Sequence, residues 1–209
     1  MESGRGERAG GVVLAAGESR RAGGQKLLLP FGASTVVGCV VGAMEGAGLE
    51  PIVVVAGADA EGIGEALRGT GARVVRNPDP CRGMASSLRV GVGALPEGIS
   101  RFVVALGDQP RLSAVEIERV LGGLRREGKG AVLQGIAIAS HRGKRGHPVA
   151  FAGSYRAGVL SLRDDQTLRD LIHAHEEDVC EVECGTDAVI RDIDTREEYE
   201  AELRRNEAG

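Results

Sequence analysis

A chain of 209 residues is long enough for one well-buried core and short for two full-sized domains, so one domain is the expectation. With 42% hydrophobic and 27% charged residues it has the make-up of a globular protein, which excludes a disordered or fibrous chain. The net charge of -4 and the lack of a basic stripe argue against nucleic-acid binding, and no apolar run approaches the ~20 residues that cross a bilayer. The opening MESGRGERAG has no apolar stretch behind its charges, so no membrane partner and a cytoplasmic location are expected.

Aromatic residues make up only 2% of the chain, so its core must be packed by Val, Leu, Ile and Ala, a composition suited to buried parallel strands under helices. In chain order, residues 1–10 read as a flexible N-terminus and residues 11–205 as the domain. Gly11 to Ala16 is a short apolar run of strand type, and Pro51 to Ala56, Ala72 to Val75 and Arg101 to Leu106 repeat it. Segments of helical character separate them: Thr35 to Gly48, Asp59 to Arg68 and Met84 to Ala94. This β-α-β-α order with long crossovers predicts an α/β fold, a mostly parallel central sheet covered on both faces. Ser113, three residues before Glu116, has capping-box spacing and predicts a helix running to about Glu127 and ended by Gly128. Beyond it come strands near Ala131 to Ala139 and Pro148 to Phe151, a helix from Thr167 to His175, a strand at Val179 to Val182 and a last helix from Thr195 to Arg205. Ser140 to Gly146 is the best candidate for a mobile loop.

Two loops that follow strands carry the chemistry. After the first strand, LAAGESRRAGGQK (Leu14 to Lys26) holds Gly17, Gly23 and Gly24 with Arg20, Arg21 and Lys26. Ligands of parallel sheets bind at the carboxyl ends of strands, glycines let backbone N–H groups approach phosphate oxygens, and the bases neutralise charge. The residues alone leave open an exposed loop with incidental bases, since the Walker and dinucleotide fingerprints are both absent. GDQP (Gly107 to Pro110) also follows an apolar strand, and Asp108 there could present its carboxylate to a divalent ion or simply form a turn.

These loops, together with NPDPCRGMASSLRVG (Asn77 to Gly91) and DIDT (Asp192 to Thr195), resemble the nucleotidyltransferases of Rossmann-like three-layer α/β/α fold that act on molybdenum cofactor (MobA/MocA-like), and most of all their cytidylyltransferase branch. The family loop LAAGxSxRMGxxK is matched by Leu14, Ala15, Ala16, Gly17, Ser19, Arg21, Gly23 and Lys26, with Ala22 where methionine is usual. The resemblance implies that Arg21 and Lys26 hold the triphosphate and that Asp108 binds Mg2+, with Asp194 or Asp192 completing the metal shell. It also implies that Asn77, Gly83, Ser86 and Ser87 lie near base and ribose, so that the part to about residue 110 takes the nucleotide and the remainder the acceptor. Ala16 stands where guanylyl enzymes carry glycine, and its methyl favours the smaller base, so CTP is expected over GTP.

On the acceptor side, GHPV (Gly146 to Val149) matches a family motif, and Arg145 and His147 are candidates to meet an acceptor phosphate. The family's GDxGxR is altered: Asp165 and Arg169 are kept, but Asp164 and Thr167 replace glycines. Transfer of CMP from CTP to molybdopterin is therefore the expectation, with a molybdoenzyme as client. Its rivals are transfer of GMP, a related cytidylyl or sugar-phosphate transferase, and a non-catalytic cofactor chaperone. The four cysteines, Cys39, Cys81, Cys180 and Cys184, form no CxxC pair; Cys180 and Cys184, four apart, could hold metal but read as two small buried or half-buried residues. His141, His173 and His175 show no metal spacing, and Glu176 to Asp178 reads as a solvated helix end.

Overall fold

The computed structural model describes residues 9–17, 26–124, 126–127, 131–132 and 135–207. The chain opens with β1 (Ala9–Ala15), a small hairpin of β2 (Pro30–Phe31) and β3 (Ser34–Thr35), and α1 (Val36–Gly46). The alternation continues through β4 (Ile52–Ala56), α2 (Ala60–Ala66), β5 (Ala72–Arg76), α3 (Met84–Ala94), β6 (Arg101–Leu106) and α4 (Ala114–Gly123). A two-strand ribbon of β7 (Arg126–Glu127) and β8 (Ala131–Val132) leads to β9 (Ile136–His141) and β10 (Lys144–Ala152). Then come α5 (Arg156–Leu160), α6 (Leu168–His173), β11 (Val179–Glu183) and α7 (Arg196–Glu207).

The main sheet has seven strands in the order β11-β9-β10-β6-β1-β4-β5. All neighbours are parallel except β10, which runs antiparallel to both β6 and β9. This is the expected α/β architecture, mostly parallel and Rossmann-like. Successive strand residues point to opposite faces, and the core divides accordingly. Val13, Val54, Val103 and Ala105 pack with Val36, Val40 and Met44 of α1, Ile63 of α2 and Ile117 and Val120 of α4. Val12, Val53, Val55 and Val104 pack on the other face with Leu88 and Val92 of α3, Val159 of α5 and Leu168 and Ile172 of α6. Two of the three phenylalanines, Phe102 and Phe151, are register partners across β6 and β10, stacked with centroids 5.1 Å apart. That cross-strand pair favours the one antiparallel register in which both rings stay buried.

Helix starts follow their caps: Thr35 accepts from the Gly38 N–H at 3.1 Å, and Ser113–Glu116 and Thr167–Asp170 form capping boxes. Several expectations are corrected. The helix after Ser113 stops at Gly123, not near Glu127, because Gly122–Gly123 is a weak helical pair. Gly123 also presses so close to the sheet that a Cβ there would stand 2.6 Å from Val182 and 3.0 Å from Ala137. The strand expected over Ala131 to Ala139 is divided between β8 and β9, and Gly128 lies outside the described residues. Ala9 and Gly10, assigned to a flexible terminus, pair with Arg101 and Phe102 as the start of β1.

Ser140 to Gly146 is not a loop. It spans the end of β9, a two-residue turn and the start of β10, with Ser140 opposite Arg145 and His141 opposite Lys144. Arg142 and Gly143 both have positive φ (50° and 75°), the turn geometry that matches strand twist, and the Arg142 N–H donates to Glu183 at 2.9 Å. Further along β10, Gly146 meets the segment after β11: a Cβ there would lie 1.9 Å from the Val189 carbonyl oxygen. Gly146→Ala is expected to destabilise the fold by roughly 1–3 kcal/mol or more, through overpacking against backbone. Gly42→Ala, in the exposed and unobstructed middle of α1, is expected to stabilise it by about 0.5–1 kcal/mol. Urea unfolding of the two variants checks the opposite signs.

Candidate active site

Parallel pairing aligns the ends of β1, β4, β5 and β6 on one edge, and three of these strands lead into loops that carry a candidate residue. Lys26 follows β1, Asn77 follows β5 and Asp108 follows β6. Gly107 lets the last turn close against β1: its N–H donates to the Leu14 carbonyl at 2.9 Å, and a Cβ would stand 3.1 Å from that oxygen. The Asp108 carbonyl then accepts from the Ile193 N–H at 3.1 Å. That bond brings the DIDT segment, from the far end of the chain, to the same edge.

The result is a charged centre. Lys26 Nζ lies 2.7 Å from Asp108 Oδ2 and 3.1 Å from Asp194 Oδ1. Burial works against the Lys26 ammonium, but the two carboxylates outweigh it and its pKa stands above the ordinary value. Burial pushes the Asp108 carboxyl up from its ordinary range; Lys26 opposes this, and the charge of nearby Asp192 adds to it. Asp108 Oδ1 is buried with no hydrogen-bond partner among the described residues. Two carboxylates sharing one cation, with an oxygen left over, form a hard-oxygen donor set of the kind that takes a small divalent ion.

Asn77, Ser86 and Ser87 form a buried cluster at the same edge. Asn77 Nδ2 donates to Ser86 Oγ at 2.7 Å and to Ser87 Oγ at 3.0 Å, while the Ser86 hydroxyl donates to the Asp79 carbonyl. These groups satisfy one another and tie the end of β5 to the start of α3. Gly83, with φ of 89°, caps α3 beside them. Ala16 belongs to the apolar cluster beneath α3 with Ala85 and Leu88. Leu14, Ala15 and Gly17 complete the β1 end, and Gly17 faces open space. Ser19, Arg21 and Gly23, with Arg20 and Gly24, lie outside the described residues.

Beside the charged centre opens a cleft of about 730 Å³, within the range of small-molecule sites. Leu106, Ile138, Val149, Leu168, Ile172 and Ile190 give it apolar walls; Gln109, Lys144, Arg145, His147, Arg169, His173 and Asp192 supply polar groups.

Residues 11–179 match the family described as MobA-like NTP transferase domain. The chain belongs to that family. Nicotine blue oxidoreductase of Paenarthrobacter nicotinovorans is 32% identical to this MobA-like chain over 191 residues, 90% of this chain and 93% of that protein. Among solved structures, the nucleotidyl transferase Mth528 from Methanothermobacter thermautotroptrophicus is 27% identical with a TM-score of 0.82, covering 97% of this chain and 99% of its own. Rv0371c from Mycobacterium tuberculosis H37Rv, in a complex with manganese, is 26% identical with a TM-score of 0.72, covering 94% and 98%. By family and by these structures the MobA-like chain is a nucleotidyltransferase.

Arg145 reaches the rim of the cleft but its guanidinium is held by Glu176 and by Glu181, the latter at 2.7 Å, both of which raise its pKa. His147 is not in an exposed loop. It sits half-buried in β10, and burial pushes its pKa down to about 4. Asp164, where the family has glycine, takes up both Arg82 and Arg89. Arg82 follows Asn77 in the NPDPCRG segment, so this carboxylate joins the loop before α6 to the segment between β5 and α3. Residues that sequence reading missed include Arg111, which donates to Asp187 at 2.6 Å and to the buried Glu202, clamping the segment that carries Asp192 and Asp194. No local signal marks it, because its partners lie more than 70 residues away. Cys184 is buried and Cys180 half-buried, as read from the sequence, while Cys81 is exposed.

A histidine neutral when folded and protonated when unfolded makes the unfolded state bind more protons between pH 6.5 and 4. Stability is therefore lost as pH falls through that window. Denaturant unfolding is expected to show a loss on the order of 1–3 kcal/mol there, and His147→Asn is expected to remove that part of the slope.

Proposed function

We propose that the protein transfers CMP from CTP, with Mg2+, to a phosphorylated acceptor, the acceptor being molybdopterin, and releases pyrophosphate. The observation that carries this reading is the convergence of Lys26, Asp108 and Asp194 on one point beside an apolar-walled cleft. The domain then works as one unit, with the nucleotide held by the loops of residues up to about 110 and the acceptor by the remainder.

In this reading an acceptor phosphate oxygen forms a bond to the α-phosphorus of CTP as the bond to the β-phosphate oxygen breaks. The nucleophile is already an anion at neutral pH, so the protein needs no strong general base. Asp108 and Asp194 fit a magnesium ion through their hard oxygens, and the unpartnered Asp108 Oδ1 leaves one ready donor. The ion, when bound, neutralises charge that builds on the phosphate oxygens. Arg21 and Lys26 would steady the triphosphate, Gly17, Ser19 and Gly23 would bring backbone N–H groups to it, and Asn77, Ser86 and Ser87 would shape the base and ribose side. Ala16 leans the choice toward CTP, with GTP the nearest rival. His147, uncharged at neutral pH, would offer the acceptor a hydrogen bond rather than a charge.

The test incubates the protein with Mg2+, each NTP and molybdopterin and follows pyrophosphate. CTP is expected to give the fastest release, and Asp108→Asn to lower kcat by roughly 10²–10³-fold. Absence of release with every nucleotide would falsify the proposal. The similarity to nicotine blue oxidoreductase favours a second reading, in which the cleft takes an aromatic redox substrate. Oxidation of NADH or NADPH in the presence of nicotine blue, without pyrophosphate release from any NTP, would establish it instead.

A further inference from the structure

Lys26 stands where a cation is required before any ligand arrives. Its side chain is 10% exposed, and its ammonium lies within hydrogen-bond distance of two carboxylates, one from the middle of the chain and one from near its end. Backbone packing fixes it there: Lys26 opens a single 3-10 turn whose next residue, Leu27, is buried in the core. Asp192 adds a third negative charge close by, as its effect on Asp108 shows. Among the described residues two carboxylates meet one ammonium, Asp192 bears on one of them, and Asp108 Oδ1 keeps no partner.

A magnesium or manganese ion held by Asp108 and Asp194 would lie ~2.0–2.1 Å from each oxygen. The ammonium already fills the space between those oxygens. Two cations cannot share that point, because like charges so close in a weakly screened pocket repel strongly. Resting on the reading of Asp108 and Asp194 as metal ligands, we propose that Lys26 is the resident cation of this carboxylate pair and must leave it before a divalent ion can enter. The triphosphate supplies the reason to leave, since its oxygens offer the ammonium an alternative anionic partner. Metal and nucleotide then enter together, and the protein without nucleotide binds metal weakly.

The experiment is a Mn2+ titration without nucleotide, read by calorimetry and by the electron paramagnetic resonance signal of free Mn2+. It uses the wild-type protein and Lys26→Met, with Lys26→Gln as a second variant in case the first folds poorly. Both variants are expected to bind Mn2+ at least about tenfold more tightly than wild type, equivalent to 1.4 kcal/mol. Adding Asp108→Asn to either is expected to abolish the gain. Thermal unfolding gives a second readout: each variant should melt lower than wild type in chelator and gain more from Mn2+, because the ion replaces the missing charge. Unchanged or weaker Mn2+ binding in both variants, or none in any protein, overturns the proposal. Pyrophosphate release by wild type, measured separately, distinguishes the two readings. Activity with no tightening in the variants sinks only the resident cation, and tightening with no release under any NTP sinks only the transferase.

Discussion

The parallel register of β1 between β4 and β6 is the constraint on which the site depends. Ala15 lies opposite Ala56 and Leu14 opposite Leu106, so three strands end level and their loops emerge on one edge. Each strand is apolar on both faces because helices cover both, and the burial of Val and Ile along β4 makes a slip of register costly. A shift of one residue would exchange the residues packed under α1 for those packed under α3. It would also carry Asp108 away from Lys26. Packing far from the charged centre therefore sets its geometry.

Closing the centre needs residues from the other end of the chain. The backbone bond from Ile193 to Asp108 sets the approach, and Arg111 holds the flanking segment through Asp187 and Glu202. Glu202 is buried and also accepts from Arg205, so the clamp is satisfied on every side. The last helix thus supports chemistry it does not touch.

The antiparallel insertion of β10 sets the cleft beside the charged centre. Reversing one strand brings the start of β10, with Lys144, Arg145 and His147, to the edge where the parallel strands end. The loop before α6 carries an ionic link at Asp164. Asp164 binds Arg82 and Arg89 together, and its pKa is lowered first by the hydrogen bond from Arg89 and then by that from Arg82. The loop before α6 is therefore tied by charge to the segment that leads into α3 and to α3 itself.

Local pattern was enough for most elements. Apolar runs marked β1, β4, β5 and β6, and the cap at Ser113 marked a helix start, since these signals depend on near neighbours. The LAAG loop and GDQP were legible as charged or glycine-rich stretches after strands. The Ser140 to Gly146 segment was misjudged because its Gly and Arg content resembles a loop, while pairing between β9 and β10 makes it a turn. The end of α4 was misjudged because contact with Val182 and Ala137 stops it. Motif residues alone named Lys26, Asp108 and Asp194, but nothing local says that one ammonium bridges two carboxylates 82 and 168 positions away. Local sequence determined which strands and helices form, because propensity, capping and periodicity act over a few residues. Only the tertiary structure decided which charges meet, because that depends on strand order, on the reversal of β10 and on a single backbone bond from Ile193.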